Sequence, residues 1–271
     1  MVGPHLLMSP APSSAQSFAG KVALVVGGVN GLGRSIASAY ARRGATVVIA
    51  DLRAADGART LHALGLEDRG LALEIDIGNV ASIRQGYSRI SERFGRLDIL
   101  VNCAAICLVD PLIELSEERW NAVFSVNARG AFFCMQEAAR LMLPRKWGRI
   151  LTISTPASRM GFPLFATYGA SKAAVDSLVK SAALAWSPDI TVNTIVPGRM
   201  TGGMVDRLEI DLGKVTGRTL DELAADRTKG LPMQRRVDPD EVAAAAVWLA
   251  SDEARYVTGE RFNFTGGMEL Q

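Results

Sequence analysis

From Lys21 onward, short apolar and β-branched runs alternate with longer stretches of helical spacing. No other feature constrains the fold as strongly. Strand-length runs joined by helix-length crossovers build a parallel sheet, with right-handed connections that lay helices on both faces. Lys21–Val26 is almost wholly apolar, as a strand buried on both faces requires, and it runs straight into Gly27. Further strands are expected at Thr46–Ala50, Gly70–Asp76, Leu97–Val101, Arg149–Ile153, Ile190–Ile195 and Glu260–Phe264, with helices over 31–43, 79–94, 116–143 and 166–186. Ser116 caps the third of these helices, and Glu117 and Glu118 complement its dipole. Asp238-Pro239-Asp240-Glu241 starts another, with Asp as N-cap, Pro in the first helical position and Glu in the third. Between them, 197–237 is long, polar and rich in glycine. The expected fold class is α/β, a doubly wound parallel sheet in three layers, α/β/α. No linker-like shift in composition divides 18–271, so one domain is expected there. The Pro- and Ser-rich residues 1–17 are expected to be a flexible tail.

Composition narrows the chemistry. The chain has 271 residues and a formal net charge of +2, which gives no electrostatic argument for nucleic acid or an anionic membrane as a partner. It has only two histidines, His5 in the leader and His62. A His-built metal site or a Ser-His-Asp triad would depend on His62, so no metal is expected and protons should move through Tyr, Lys or a carboxylate. His62 itself reads as structural. Cys103, Cys107 and Cys134 form no CxxC pair and read as packed, reduced thiols, which fits a cytoplasmic protein. No apolar run approaches the ~18 residues of a membrane span, and the first residues lack the charged and apolar regions of a secretory signal.

Strand one opens into Gly27-Gly28-Val29-Asn30-Gly31-Leu32-Gly33 at the start of the first helix. In a strand–turn–helix such glycines divide the work. Gly27 allows the sharp turn, Gly31 the approach of backbone to a pyrophosphate, and Gly33 close helix–strand packing, while free N–H groups at the helix start bind the anion. Taken alone, the glycines also suit an ordinary tight turn. Asp51, ending strand two, adds a carboxylate that can accept from adenosine ribose hydroxyls and would repel a 2′-phosphate. NAD is therefore favoured over NADP, although Arg53 and Arg34 lie close enough in sequence to meet a phosphate. Asp76, ending strand three, reads either as an adenine contact or as a strand-end turn aspartate.

Tyr168 and Lys172 stand one helical turn apart, on one face. A phenol has a pKa of about 10 and is a poor base at neutral pH. A neighbouring ammonium and the cationic ring of an oxidised nicotinamide would both stabilise the phenolate, so the pair could take a proton from an alcohol or return one to a ketone. In isolation the same spacing is commonly a solvated helix face.

Taken in order, Gly27-xxx-Gly31-x-Gly33, Asp51, Asn102-Cys103-Ala104-Ala105, Asn127, Tyr168-xxx-Lys172, Pro197-Gly198, Val257-Thr258-Gly259-Glu260 and Gly266-Gly267 make 18–271 resemble the short-chain dehydrogenases/reductases. The resemblance implies a Rossmann fold, NAD(P)-dependent interconversion of alcohols and carbonyls, and a homo-oligomer, commonly a tetramer joined through the helices near 116–143 and 166–186. It implies Tyr168 as general acid/base and Lys172 as the residue that lowers its pKa and holds the nicotinamide ribose. Asn127 would hold a relay water, and Thr155 would stand where the family has a substrate-orienting Ser. Ser154 is adjacent, but successive strand residues face opposite ways. The implied dinucleotide contacts are Gly27, Asn30, Gly31, Leu32, Gly33, Asp51, Leu52, Asp76, Ile77, Asn102, Ala104, Tyr168, Lys172, Pro197, Gly198 and Met200.

Several positions depart from the family pattern. Val26 replaces a Thr whose hydroxyl often pins the Asn102 loop, Thr201 stands one place early after Pro197-Gly198, and Thr265 replaces an Asp. The segment 199–236 reads as a lid over the substrate, or alternatively as a surface insertion with one short amphipathic helix. Pro156, Phe162, Phe165 and Cys107 are candidates for the substrate wall. The expected activity is hydride transfer between NAD and a secondary alcohol or ketone, with a polyol or cyclic alcohol as the substrate candidates. An NADPH-dependent ketoreductase of the 3-oxoacyl carrier-protein reductase type is one alternative. A dinucleotide-binding scaffold or sensor with weakened catalysis is the other.

Overall fold

The computed structural model describes residues 18–202, 204–226 and 228–270, so the expected tail at 1–17 lies outside the described residues. In chain order the strands are β1 (Val22–Val26), β2 (Thr46–Asp51), β3 (Leu71–Glu74), β4 (Ile99–Asn102), β5 (Gly148–Ile153), β6 (Ile190–Pro197) and β7 (Arg261–Phe264). They pair in parallel as one sheet of order β3-β2-β1-β4-β5-β6-β7. This is the doubly wound order, and it puts a switch point at the carboxyl ends of β1 and β4, where ligands of open α/β sheets sit.

The helices that follow these strands are α1 (Gly31–Arg42), α2 (Ala54–Ala63), α3 (Val80–Phe94), α4 (Glu117–Phe124), α5 (Ala131–Met142), α6 (Ala166–Trp186), α7 (Met204–Thr216), α8 (Leu220–Ala225) and α9 (Pro239–Ala250). Side chains alternate across the strands, and the core divides accordingly. Leu24, Leu100, Ile150 and Val192 pack with α3, α5 and α6 through Ile83, Cys134, Met135 and Val179. Ala23, Val25, Ile99 and Leu151 pack with α1 and α9 through Ile36, Tyr40, Val242 and Ala246. The Tyr40 hydroxyl, buried between those two helices, donates to the Ala246 carbonyl at 3.1 Å.

Local signals fix most helix boundaries. Asn79 caps α3 by accepting from Ala81 N at 2.9 Å, and Gly95 closes it in the left-handed region. Asp238 and Glu241 form the expected reciprocal capping box on α9, with Pro239 in its first turn. Two expectations change. The expected helix over 116–143 is interrupted by a π-helical turn, Ser125–Gly130, between α4 and α5. The segment after β6 carries two helices, where the surface-insertion reading expects one. The second, α8, opens on a Thr219–Glu222 capping box.

Candidate active site

A cavity of ≈ 1040 Å³ opens at the carboxyl edge of the sheet, running from Asp51 at one end to α7 at the other. At the Asp51 end its wall is bare backbone. Gly27 sits at φ +80°, and a Cβ there would lie 2.7 Å from Ala104 N. At Gly33 a Cβ would come within 2.0 Å of the Gly27 carbonyl oxygen, so α1 could not approach β1 this closely with any side chain present. Asn30 precedes α1 without a side-chain cap, and its first turn carries no acidic residue. The N–H groups at that helix start therefore face the cavity as an anion site without a competing carboxylate.

Asp51 closes the wall, its Oδ1 accepting from Leu52 N at 2.9 Å, and burial raises its pKa. Arg53 turns outward and pairs with Asp56 at 2.7 Å. Neither Arg53 nor Arg34 lines the cavity. Asp76 does line it, but its Oδ1 accepts from Gly78 N at 2.8 Å, the strand-end turn role. Leu32, Leu52, Ile77, Ala104, Pro197, Gly198 and Met200 also reach the wall. Asn102 does not. It lies buried behind the wall, donating from Nδ2 to the Ala131 carbonyl at 3.0 Å, while its Oδ1 is buried without a partner. Val26 is its neighbour in register, and both face α5.

The chemistry-bearing side chains meet midway along the cavity. Tyr168 and Lys172, in the first turns of α6, and Thr155, just past β5, all line it. The Thr155 side chain beside the Tyr168 hydroxyl opposes the rise in the phenol's pKa, which burial mainly causes; its Oγ1 accepts from Ala157 N at 3.3 Å. The Lys172 Nζ lies 5.9 Å from the Tyr168 ring centroid and donates to the Ile153 carbonyl oxygen at 2.7 Å. Desolvation lowers its pKa to about 8. In the polypeptide alone, burial holds Tyr168 above the ordinary phenol value. Cys103 and Cys107 also line the cavity beside this pair, and burial pushes their thiols up to about 11 and about 12.

Asn127 does not line the cavity. It lies in the π-turn, fully buried, with Oδ1 accepting from Ile106 N at 2.9 Å. Its Nδ2 donates to the Ile106 carbonyl at 2.8 Å and to Ser171 Oγ at 3.1 Å. The amide holds the loop that carries Cys107, and both its N–H hydrogens are engaged.

Two contributors were not legible beforehand. Ser154 also lines the cavity, because β5 ends at Ile153 and strict alternation ends with it. Its Oγ is buried without a partner. Arg261, on β7, donates to the Thr155 carbonyl at 3.1 Å, to Ser158 Oγ at 3.3 Å and to both oxygens of Glu269 at 2.7 Å, and pairs with Asp176 at 3.3 Å. Only spatial assembly brings these residues together. The proposed wall residues Pro156, Phe162, Phe165 and Cys107 all line the cavity. His62 is exposed and meets Glu67 at 2.6 Å, far along the chain from any of them.

Residues 27–269 match the family model described as enoyl-(acyl carrier protein) reductase, adh_short_C2. Over 249 residues the chain is 35% identical to galactitol 2-dehydrogenase of Agrobacterium fabrum, covering 91% of this chain and 96% of that one. The chain belongs to the short-chain dehydrogenase/reductase family. It is also 35% identical to the 3-oxoacyl-[acyl-carrier-protein] reductase of Escherichia coli, across 94% of this chain and 99% of that one. The solved structure of an NAD+-bound xylitol dehydrogenase superposes with a TM-score of 0.87 at 26% identity, over 92% and 99% of the two chains. As a short-chain dehydrogenase/reductase, the protein is an oxidoreductase that acts on CH–OH groups with a nicotinamide dinucleotide. The glycine-built wall, the uncapped start of α1 and the Asp51 carboxylate suit that dinucleotide. Among the described residues no group of His, Cys, Asp and Glu could hold a metal ion.

Proposed function

We propose that the protein is an NAD-dependent dehydrogenase of secondary alcohols in which Tyr168 moves the proton, Thr155 orients the reacting oxygen and Lys172 holds the nicotinamide ribose. The observation that carries this reading is the meeting of Thr155, Tyr168 and Lys172 in one cavity whose far end is closed by Asp51. The bound dinucleotide supplies the hydride acceptor, and its cationic ring favours the phenolate that burial disfavours. The Thr155 hydroxyl, beside Tyr168 in the cavity, offers both a donor and an acceptor to a substrate oxygen. The uncapped N-terminus of α1 binds the pyrophosphate, and Asp51 accepts from the adenosine ribose. Arg53, spent on Asp56 outside the wall, offers nothing to a 2′-phosphate. Asn127 serves by fixing Ile106 next to Cys107. Residues 199–236, carrying α7 and α8, act as the lid that excludes water from the transfer.

A second reading, an NADPH-dependent ketoreductase, is supported by the 35% identity to the 3-oxoacyl-[acyl-carrier-protein] reductase of Escherichia coli. Initial rates with NAD+ and NADP+, and with NADH and NADPH, test both readings. The proposal expects kcat/KM at least about tenfold higher with the unphosphorylated cofactor, the outcome of one desolvated carboxylate facing a phosphate. A preference for NADPH with ketones favours the ketoreductase.

Homo-oligomeric assembly through α4, α5 and α6 belongs to the same proposal. Leu184 on α6 and Trp120 on α4 are exposed apolar residues on those helices, and a light-scattering mass of four chains is expected. Cytoplasmic residence is proposed with it, from three cysteines held as free thiols.

A further inference from the structure

We infer that the substrate is a secondary alcohol or ketone with an apolar body, a ring or an alkyl chain, rather than a polyhydroxylated chain. This rests on the dehydrogenase reading above and names the substrate class of the same site. Thr155 and Tyr168 bring their hydroxyl groups to the cavity together, where one substrate oxygen can be held. Around that point the wall is apolar. Pro156 is buried, and Cys107, Phe162, Leu164, Phe165 and Met268 are half-buried, all facing the cavity. The loop carrying Cys107 is tied to the Phe162–Phe165 segment by Asp110 N donating to the Leu164 carbonyl at 3.1 Å, so the two halves of this wall are one surface.

The lid adds more of the same. Met204, Leu208 and Leu212 recur every four residues along α7 and face the cavity with Leu223 of α8. The charged residues of the lid that line the cavity are largely committed elsewhere. Arg218 is bonded to the Asp226 carboxylate at 2.6 Å and to the Glu222 carbonyl at 2.9 Å. Arg199 bonds the Asp226 carbonyl, and Arg236 Nε donates to the Met200 carbonyl at 2.6 Å. Glu209 is buried and engaged. Arg207 and Thr201 are exposed to solvent. A polyol bound here would bury several hydroxyls against carbon and sulfur, each losing its water without a replacement partner. A ring or alkyl chain gains from the same surface about fourfold in affinity for each methylene it buries.

The test is oxidation of 2-butanol, 2-hexanol, 2-octanol and cyclohexanol by the enzyme with NAD+, beside sorbitol and galactitol. KM is expected to fall about fourfold per added methylene at nearly constant kcat. The polyols should show kcat/KM about a hundredfold below 2-octanol. Phe162→Ser should raise KM for 2-octanol severalfold and leave the KM for NAD+ within about twofold, since Phe162 touches only the substrate side. A KM that stays flat along the alcohol series, or polyols turned over as well as 2-octanol, would overturn the apolar class and leave the dehydrogenase reading standing. Failure of every alcohol with NAD+ would instead remove the dehydrogenase reading. In that event the quenching of bound NADH fluorescence by straight-chain amides still reports on the wall: affinity rising with chain length supports the apolar class, and affinity independent of it overturns the class.

Discussion

Lys172 Nζ donates to the main-chain oxygen of Ile153 at 2.7 Å, which anchors the ammonium at the end of β5 in a site that desolvates it. A buried ammonium costs stability wherever the unfolded chain would hold its proton more tightly than the fold does.

The sign of the resulting pH dependence follows from the depressed value. Lys172 titrates at about 8 in the fold against 10.5 in the unfolded chain. Below pH 8 both states are protonated and the full cost, about 3 kcal/mol, is present. Between 8 and 10.5 the unfolded chain binds the extra proton, so stability rises with pH. Lys172→Met removes this cost together with the bond to Ile153. Its stability relative to the wild type should therefore shrink as pH rises from 7.5 to 9.5 in urea melts. A difference independent of pH would contradict the buried-ammonium account.

Thr155 offers the hydroxyl that the reaction needs, with an added methyl. Thr155→Ser keeps that hydroxyl and should hold kcat within a few-fold. Thr155→Val keeps the shape, removes the hydroxyl from Tyr168 and the substrate oxygen, and should cost about 100-fold in kcat. Equal losses in the two variants would place the role of Thr155 in packing.

Arg261 ties β7, α6 and the last described residues to the backbone of Thr155. Arg261→Met leaves the half-buried carboxylates of Asp176 and Glu269 without their cation, with Ser158 and Asn263 as remaining donors, and should destabilise the fold by about 3 kcal/mol. Glu269→Gln, which keeps shape and part of the bonding, should cost far less. Thermal melts check both, and indifference to Arg261→Met would contradict the pairing.

Asn102 Oδ1 is buried without a donor, and Val26 stands beside it in register on the same face. Val26→Thr puts a hydroxyl within reach of that oxygen and should add about 1 kcal/mol, or some 2–4 °C in Tm. A lower Tm would mean that the hydroxyl cannot reach.

The sequence was most legible where a signal is local. The apolar runs of β1, β2 and β5 and the Asp238–Glu241 box mark their own elements, and the helix over 166–186 needs only its spacing. The π-turn at Ser125–Gly130 was hidden because it shifts helical spacing by a fraction of a turn. Gly130 carries a trace of it: a Cβ there would come within 2.3 Å of the Ile77 carbonyl oxygen. In the site, Tyr168, Lys172 and Asp51 stand out by spacing and position, and Thr155 only through the family resemblance. Arg261 and Ser154 do not, since one meets Thr155 only across the sheet and the other depends on where β5 stops. The Thr219–Glu222 capping box that opens α8 is a local signal for a second helix within 199–236.

In the proposed reaction the Tyr168 hydroxyl carries the proton, in a site that otherwise stays intact without it. Tyr168→Phe removes that oxygen and keeps the ring. Turnover of a secondary alcohol with NAD+ should fall about 10²–10⁴-fold, while the Kd for NADH by fluorescence titration stays within about twofold. Near-normal turnover in this variant, with NADH binding retained, would contradict the account.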